Sequence, residues 1–292
     1  MNQNRVQKET IKYVVKKTKS KDSLGDRMKN NYENRSKTYL IRRMPVILRF
    51  DGKAFHTYLH GFKRPYDEFF HKVMNSTMEY LCKNIQGCKI GYTQSDEITL
   101  LLTDYDTLTT DAWFDYSVQK VCSIGAAMAT MAFNKFFNEY YGEFMYDAVK
   151  NGTSNMEEEE YIRMLQSKIG TAMFDCRCFN IPKEEVANCF IWRQQDATRN
   201  AVQMLGQANF SHKELQGKSC NEIQDMLMLQ RNINFNDMPT EFKRGTCCVR
   251  TETQNPHADD KDGTCTKMSW FIDREIPIFS KMPEYIEKFV YI

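Results

Sequence analysis

No apolar run in this sequence approaches the ~18 residues needed to cross a bilayer. The longest, Ala126–Phe133, is broken by Thr130 and bounded by Gly125 and Asn134. Met1–Lys21 has no apolar centre of the kind a secretory signal requires. Ten cysteines in 292 residues fall well short of the roughly 8–10% of a disulfide scaffold. No two of them form a C-x-x-C pair, so a zinc site is not indicated and reduced thiols are expected. Charge of one sign is lacking too: Lys+Arg 40 against Asp+Glu 38 gives +2, so any basic surface for a polyanion must be local. Internal repeats and low-complexity tracts are absent. With 41% hydrophobic and 27% charged residues, the chain has a globular balance. The expectation is a soluble, cytoplasmic protein with no membrane partner.

What is present is organised in three stretches. Residues 1–23 form a basic extension, with Arg5, Lys8, Lys12, Lys16, Lys17, Lys19 and Lys21 against one acid, Glu9. Lys8, Lys12, Lys16 and Lys19 fall at helical spacing and could meet a polyanion, or the segment is a solvated tail. Residues 24–182 read as a catalytic core. Val46, Leu48 and Phe50 alternate with Ile47, Arg49 and Asp51, the period of a strand. Pro65 opens a helix to about Leu81, and Lys89–Thr93 meets Ile98–Leu102 across a hairpin at Gln94–Glu97. A long helix is expected over Asp111–Phe137, its small residues allowing close approach to a sheet, followed by an exposed loop from Gly142 to Glu160. Ala172–Ile181 supplies a fourth strand, ended by Pro182. The order β-α-β-β-α-β predicts an α+β, ferredoxin-like antiparallel sheet with helices on one face and the other face free for substrate. Residues 183–292 read as a mostly helical part packed on that core, through Glu184–Gln207 and Asn221–Gln230, with Thr251–Thr266 a polar surface loop.

The chemistry centres on Phe50-Asp51-Gly52 at a strand end and Ser95-Asp96-Glu97 at a hairpin. Two acids brought together by neighbouring strands repel unless a cation lies between them. Mg²⁺ suits such a place, because it takes one or two carboxylates and completes its shell with water and phosphate. Gly52 has no Cβ, so its carbonyl can approach a metal or phosphate closely. Asp96 and Glu97 cannot both face that metal from a regular strand, since successive side chains point to opposite faces. Asp96 is therefore taken as the ligand, with Glu97 a neighbouring or structural acid of the catalytic group. Taken alone, each word is a weak signal, since most such dipeptides are turns.

The words Arg49-Phe50-Asp51-Gly52-Lys53-Ala54-Phe55-His56, Phe62-Lys63-Arg64-Pro65-Tyr66-Asp67 and Gly91-Tyr92-Thr93-Gln94-Ser95-Asp96-Glu97 together resemble the tRNA-histidine guanylyltransferase family and its tRNA-repairing relatives. Phe174-Asp175-Cys176-Arg177, Trp192-Arg193-Gln194 and Asn232-Ile233-Asn234-Phe235 continue the likeness, which runs from about Asp22 to Arg250. The resemblance implies a polymerase-type palm with two Mg²⁺ ions held by Asp51, Gly52 and Asp96. It implies triphosphate binding by Asp51, Gly52, Lys53, Ala54, Phe55, His56, Ser95 and Asp96. Arg64 stands where the family commonly has lysine and keeps a charge for that triphosphate. On the residues alone, without that resemblance, Lys53 and His56 read as a plain charged turn and a strand-end imidazole.

The implied reaction activates a tRNA 5′-monophosphate with ATP; the 3′-hydroxyl of GTP or another NTP then attacks the activated end. The histidine-specific eukaryotic enzymes carry His-Ile-Asn-Asn after the Trp-Arg word, where this chain has Thr198-Arg199-Asn200-Ala201. The chain thus looks like the bacterial and archaeal relatives that restore tRNA 5′ ends from a template, with addition of a single G to tRNA-histidine the alternative. Arg193, Arg199 and Asn200 share one helix and are candidate tRNA contacts, or a solvated face; Trp192 and Phe190 read as core. Family resemblance implies a homo-oligomer, a tetramer. A tRNA-binding protein on a retired palm and a nucleotidyl cyclase are the other classes; both aspartates being present disfavours the first.

Overall fold

The computed structural model describes residues 23–151, 156–254 and 266–291. The basic stripe before Ser23, residues 152–155 with the Gly152 of the expected loop, and the polar segment around Asp259–Gly263 lie outside them. Residues 1–39 and 40–292 form separate units. In the first, helix α1 (Leu24–Asn31) starts at Ser23, whose side chain accepts from the Asp26 amide at 3.0 Å.

The second unit is built on six strands in the order β4-β1-β3-β2-β5-β6, every pairing antiparallel. Strand β1 (Val46–Gly52) leads through a single helical turn, α2 (Phe55–Tyr58), to helix α3 (Glu68–Asn84). Asp67 caps α3 by accepting from the Phe70 amide at 2.9 Å, the role its residue type favours. Strands β2 (Cys88–Gln94) and β3 (Glu97–Leu102) are joined by a two-residue turn, Ser95-Asp96, closed by the Gln94–Glu97 pair. Helix α4 (Val118–Asn151) and helix α5 (Met156–Lys168) precede β4 (Phe174–Asn180). β1–β4 with α3 and α4 are thus the ferredoxin-like βαββαβ unit expected of a palm.

Helix α4 differs at both ends from its expected span. It begins later because Trp113–Tyr116 form a tight turn in which Phe114, Asp115 and Tyr116 are left-handed. It runs through Gly142, where a loop was expected. Glycine inside a helix costs about 1 kcal/mol, and the ring of Phe144, set against Phe69 and Tyr161, offsets that locally. The small residues do bring α4 close to the sheet: a Cβ on Gly125 would lie 3.1 Å from the Phe50 ring.

The α+β antiparallel class holds, but the sheet is covered on both faces. Val46, Leu48, Phe50, Ile98 and Leu100 face α3 and α4 in the main core. Ile47, Leu101, Ile90 and Tyr92 form a second core with Val186 and Phe190 of helix α6 (Lys183–Asn209) and with Ile286 and Val290. The free face expected for substrate is closed there, because β1 is apolar on both sides over Val46–Leu48. The stretch after Pro182, expected to be mostly helical, also supplies two strands. Beyond helix α7 (Cys220–Arg231), β5 (Thr246–Gln254) pairs with β2 and β6 (Thr266–Asp273) pairs with β5. Their apolar runs are short, Cys247–Val249 and Trp270–Ile272, and the polar stretch from Thr251 to Thr266 lies between them, so neither strand stands out in sequence.

Candidate active site

Asp51 is the penultimate residue of β1, and its cross-strand neighbours are Glu97 on β3 and Asp175 on β4. Residues directly opposite in an antiparallel pair share a face, so three acids stand in one row across the sheet end. Asp96 sits beside them in the β2–β3 turn. The Gly52 amide donates to the Asp96 carbonyl at 3.1 Å, which ties the strand end to the turn.

Each member of the row is balanced differently. Glu97 is buried, and both its oxygens accept from Arg193 of α6, at 2.7 and 2.8 Å. Arg177 lies 3.4 Å from Asp175 and 4.0 Å from Asp51. Asp96 has no ion-pair partner among the described residues, and its carboxylate accepts from the Ser95 hydroxyl at 3.2 Å. Burial, and then the nearby charge of Asp51, push its carboxyl up to about 6.

These two acids open into a cavity of about 570 Å³. Gly52, Ala54, Phe55, His56, Arg64 and Ser95 line it with them, so the structure brings together all the expected nucleotide-site residues except Lys53. The amide of Lys53 donates instead to the Met173 carbonyl at 2.9 Å. Sequence reading missed Lys63, His71, Gln94, Met204 and Glu241, which line the same cavity. Lys63 lay within a quoted word beside Arg64. Glu241 is brought in only by the fold and had no local signal. Asn200 is on the cavity wall, whereas Arg199 is exposed and paired with Asp196.

Arg193 does not stand on a solvated face as expected of a tRNA contact. It is 7% exposed, and its donors serve Glu97 and Asp196; it holds α6 to β3. Trp192, read as core, is instead 52% exposed, while Phe190 is fully buried.

No cluster of three His, Cys, Asp or Glu side chains suited to a metal occurs among the described residues. Two carboxylates and a glycine carbonyl are nevertheless the donor set Mg²⁺ accepts when phosphate and water supply the rest. The raised, unpaired carboxyl of Asp96 beside Asp51 fits a place for a cation.

A ferredoxin-like palm carrying paired acids at the edge of a nucleotide-sized cavity defines the nucleotidyltransferase class. Residues 25–182 match the family model described as Thg1, tRNAHis guanylyltransferase, and the chain belongs to this family of nucleotidyltransferases. A bacterial tRNA(His) guanylyltransferase (Thg1)-like protein in complex with ATP is 42% identical with a TM-score of 0.74, covering 92% of this chain and 100% of that one. The tRNA(His) guanylyltransferase of Saccharomyces cerevisiae is 25% identical over 219 residues, 70% of this chain and 82% of its own. Uncharacterized protein R259 of Acanthamoeba polyphaga mimivirus is 27% identical over 235 residues, 77% of this chain and 76% of its own. No helix among the described residues is long and apolar enough to cross a membrane.

Proposed function

We propose that this chain restores truncated tRNA 5′ ends by templated 3′-to-5′ addition of nucleotides. The observation that carries this reading is the pairing of Asp51 and Asp96 at the mouth of a cavity that also holds Lys63, Arg64 and His56. Asp51, Asp96 and the Gly52 carbonyl would hold Mg²⁺, as two ions, which when bound neutralises phosphate charge and sharpens a hydroxyl for attack. Lys63 and Arg64 offset the charge of a triphosphate, from ATP in the activating step and from GTP or another NTP in the adding step. The apolar wall of Phe55, Phe62 and Phe70 excludes water from the reacting end. Glu97, through Arg193, fixes the start of β3 and so the position of Asp96.

Two features favour repair over the single addition of G to tRNA-histidine. Thr198-Arg199-Asn200-Ala201 replaces the His-Ile-Asn-Asn of the histidine-specific enzymes. Identity to the bacterial Thg1-like protein, 42%, exceeds that to the yeast enzyme, 25%. A cytoplasmic location agrees with nine free cysteines among the described residues. The family resemblance points to a homo-tetramer, which light scattering of the purified chain would test.

The deciding experiment supplies labelled NTPs, ATP and Mg²⁺ to a panel of 5′-monophosphorylated tRNAs lacking their first nucleotide, with Asp96→Ala as control. Templated restoration across the panel is the expected result. Extension of tRNA-histidine alone would replace repair by guanylyl addition. NTP consumption without RNA would point to a cyclase.

A further inference from the structure

Trp192 and its neighbours are the polar and aromatic surface that the nucleotide cavity does not use. The indole is 52% exposed although it sits on α6 two residues from the fully buried Phe190. A two-residue step turns about 200° around a helix, so Phe190 enters the second core and Trp192 leaves it. Two guanidinium groups flank the exposed ring: Arg193 at 4.5 Å from its centroid and Arg49 at 5.7 Å. Arg193 is fixed in place by Glu97, so the ring has a charged neighbour at a set position.

Arg49 stands directly opposite Arg177 on β4. Like charges facing each other across strands are destabilising by themselves. The Nε of Arg49 is moreover buried and without a hydrogen-bond partner among the described residues. Arg177 already faces Asp175 at 3.4 Å, so the open donor of the pair is on Arg49, and an anion between the two guanidinium groups would satisfy it. One step further along both strands, about 6.8 Å on, come Asp51 and Asp175, and Arg177 already reaches to 4.0 Å from Asp51. An anion between the arginines therefore lies beside the reacting acids, and a flat ring bound on Trp192 lies next to that anion.

We propose that Trp192, Arg49 and Arg177 bind the 5′-terminal nucleotide of the acceptor RNA. The base stacks on the exposed indole and the terminal phosphate sits between the two guanidinium groups. This rests on the reading of the chain as a tRNA 5′-end nucleotidyltransferase and assigns the acceptor a site separate from the triphosphate cavity. An aromatic platform beside arginines takes a base of any identity, since every base has a π-face, and repair across many tRNAs needs that tolerance.

The test measures affinity for two fluorescently labelled probes in Ca²⁺, so that no turnover occurs. They are a tRNA lacking its first nucleotide with a 5′-monophosphate and the same tRNA with a 5′-hydroxyl. Trp192→Leu should weaken the phosphorylated probe by about 10-fold or more, the scale of one stacked base, while Trp192→Phe stays within about 3-fold of wild type. Arg177→Gln should abolish the preference for the 5′-phosphate and lower the slope of log affinity against log salt by about one. ATP affinity should stay at the wild-type value in both Trp192 variants, which shows that the cavity is intact. Wild-type affinity in Trp192→Leu, or an equal loss in Trp192→Phe, overturns the stacking site; a retained phosphate preference in Arg177→Gln overturns the anion site. A wild-type protein that binds the probes with these dependences yet incorporates no nucleotide in Mg²⁺ refutes the proposed reaction and leaves the binding site standing.

Discussion

Arg193 donates from Nε and Nη2 to the two carboxylate oxygens of Glu97, so a helix residue and a strand residue 96 positions apart share one buried charge pair. Removing one partner strands the other away from water. Arg193→Ala should lower stability by about 3–5 kcal/mol. The double variant Arg193→Met with Glu97→Leu should recover much of that loss, because no charge is then left buried. Urea titrations of the single and double variants check this. A single variant within 1 kcal/mol of wild type would mean the pair is solvated in solution.

Asp96 separates stability from chemistry. Its carboxyl is pushed up to about 6 by burial and by Asp51, above its ordinary value near 3.9. The folded chain thus holds that proton more tightly than the unfolded chain. The associated stability is present at low pH and is lost as pH rises from about 4 through about 6. Asp96→Asn cannot ionise and escapes the loss. In metal-free buffer at pH 7.5 it should be more stable than wild type by about 1–2 kcal/mol, while nucleotide incorporation falls by about 10²–10³. Denaturant titration at pH 4.5 and 7.5 checks the first half and single-turnover incorporation the second.

His71 gives the opposite dependence on pH. Its ring stacks on Tyr66 with centroids 4.2 Å apart, and burial, then Arg274, hold its imidazole down to about 4. The unfolded chain takes up this proton first, near 6.5. The contribution is full above about 6.5 and is lost as pH falls towards 4, by roughly 2 kcal/mol. His71→Phe keeps the stack and removes the titration. Its stability should fall less than that of wild type between pH 7 and 4.5, as followed by urea unfolding. Parallel losses in the two proteins would show that His71 is not the group responsible.

The elements nearest the site were the most legible ones. Alternation at Val46–Asp51, the helix expected from Pro65, which in the structure begins three residues later at Glu68 under an Asp67 cap, and the short Gln94–Glu97 connection rest on local signals. Together they place Asp51 beside Asp96, because β1 and β3 are neighbours in a βαββαβ sheet. What stayed hidden depends on partners far along the chain. Phe190 and Trp192 are both large aromatics on one helix, and only the position of the second core decides which is covered. Arg193 reads as a surface cation until Glu97 is placed against it. β5 and β6 carry only short apolar runs, and their place in the sheet is set by the pairing of β5 with β2 and of β6 with β5. Glu241 reaches the cavity only because a short helix at Thr240–Arg244 leads into β5.

Gly52 joins the fold to the chemistry at a single position. A Cβ there would lie 2.3 Å from Cδ2 of Phe55. That ring cannot give way, being 2% exposed and packed at centroid distances of 4.7 Å on Tyr58, 5.1 Å on Phe174 and 5.6 Å on Phe133. Gly52→Ala should therefore cost about 1–3 kcal/mol, the usual range for overpacking. It should also weaken ATP binding by about 10-fold or more, since the strand end that carries Asp51 must shift. Adding Phe55→Leu makes room for the methyl group and should return part of the stability. It should not return ATP affinity, because the wall beside Asp51 is then reshaped. Thermal unfolding and equilibrium ATP titration of the two variants separate these effects. Recovery of both together would mean that Gly52 matters here only through the room its missing Cβ leaves for the Phe55 ring.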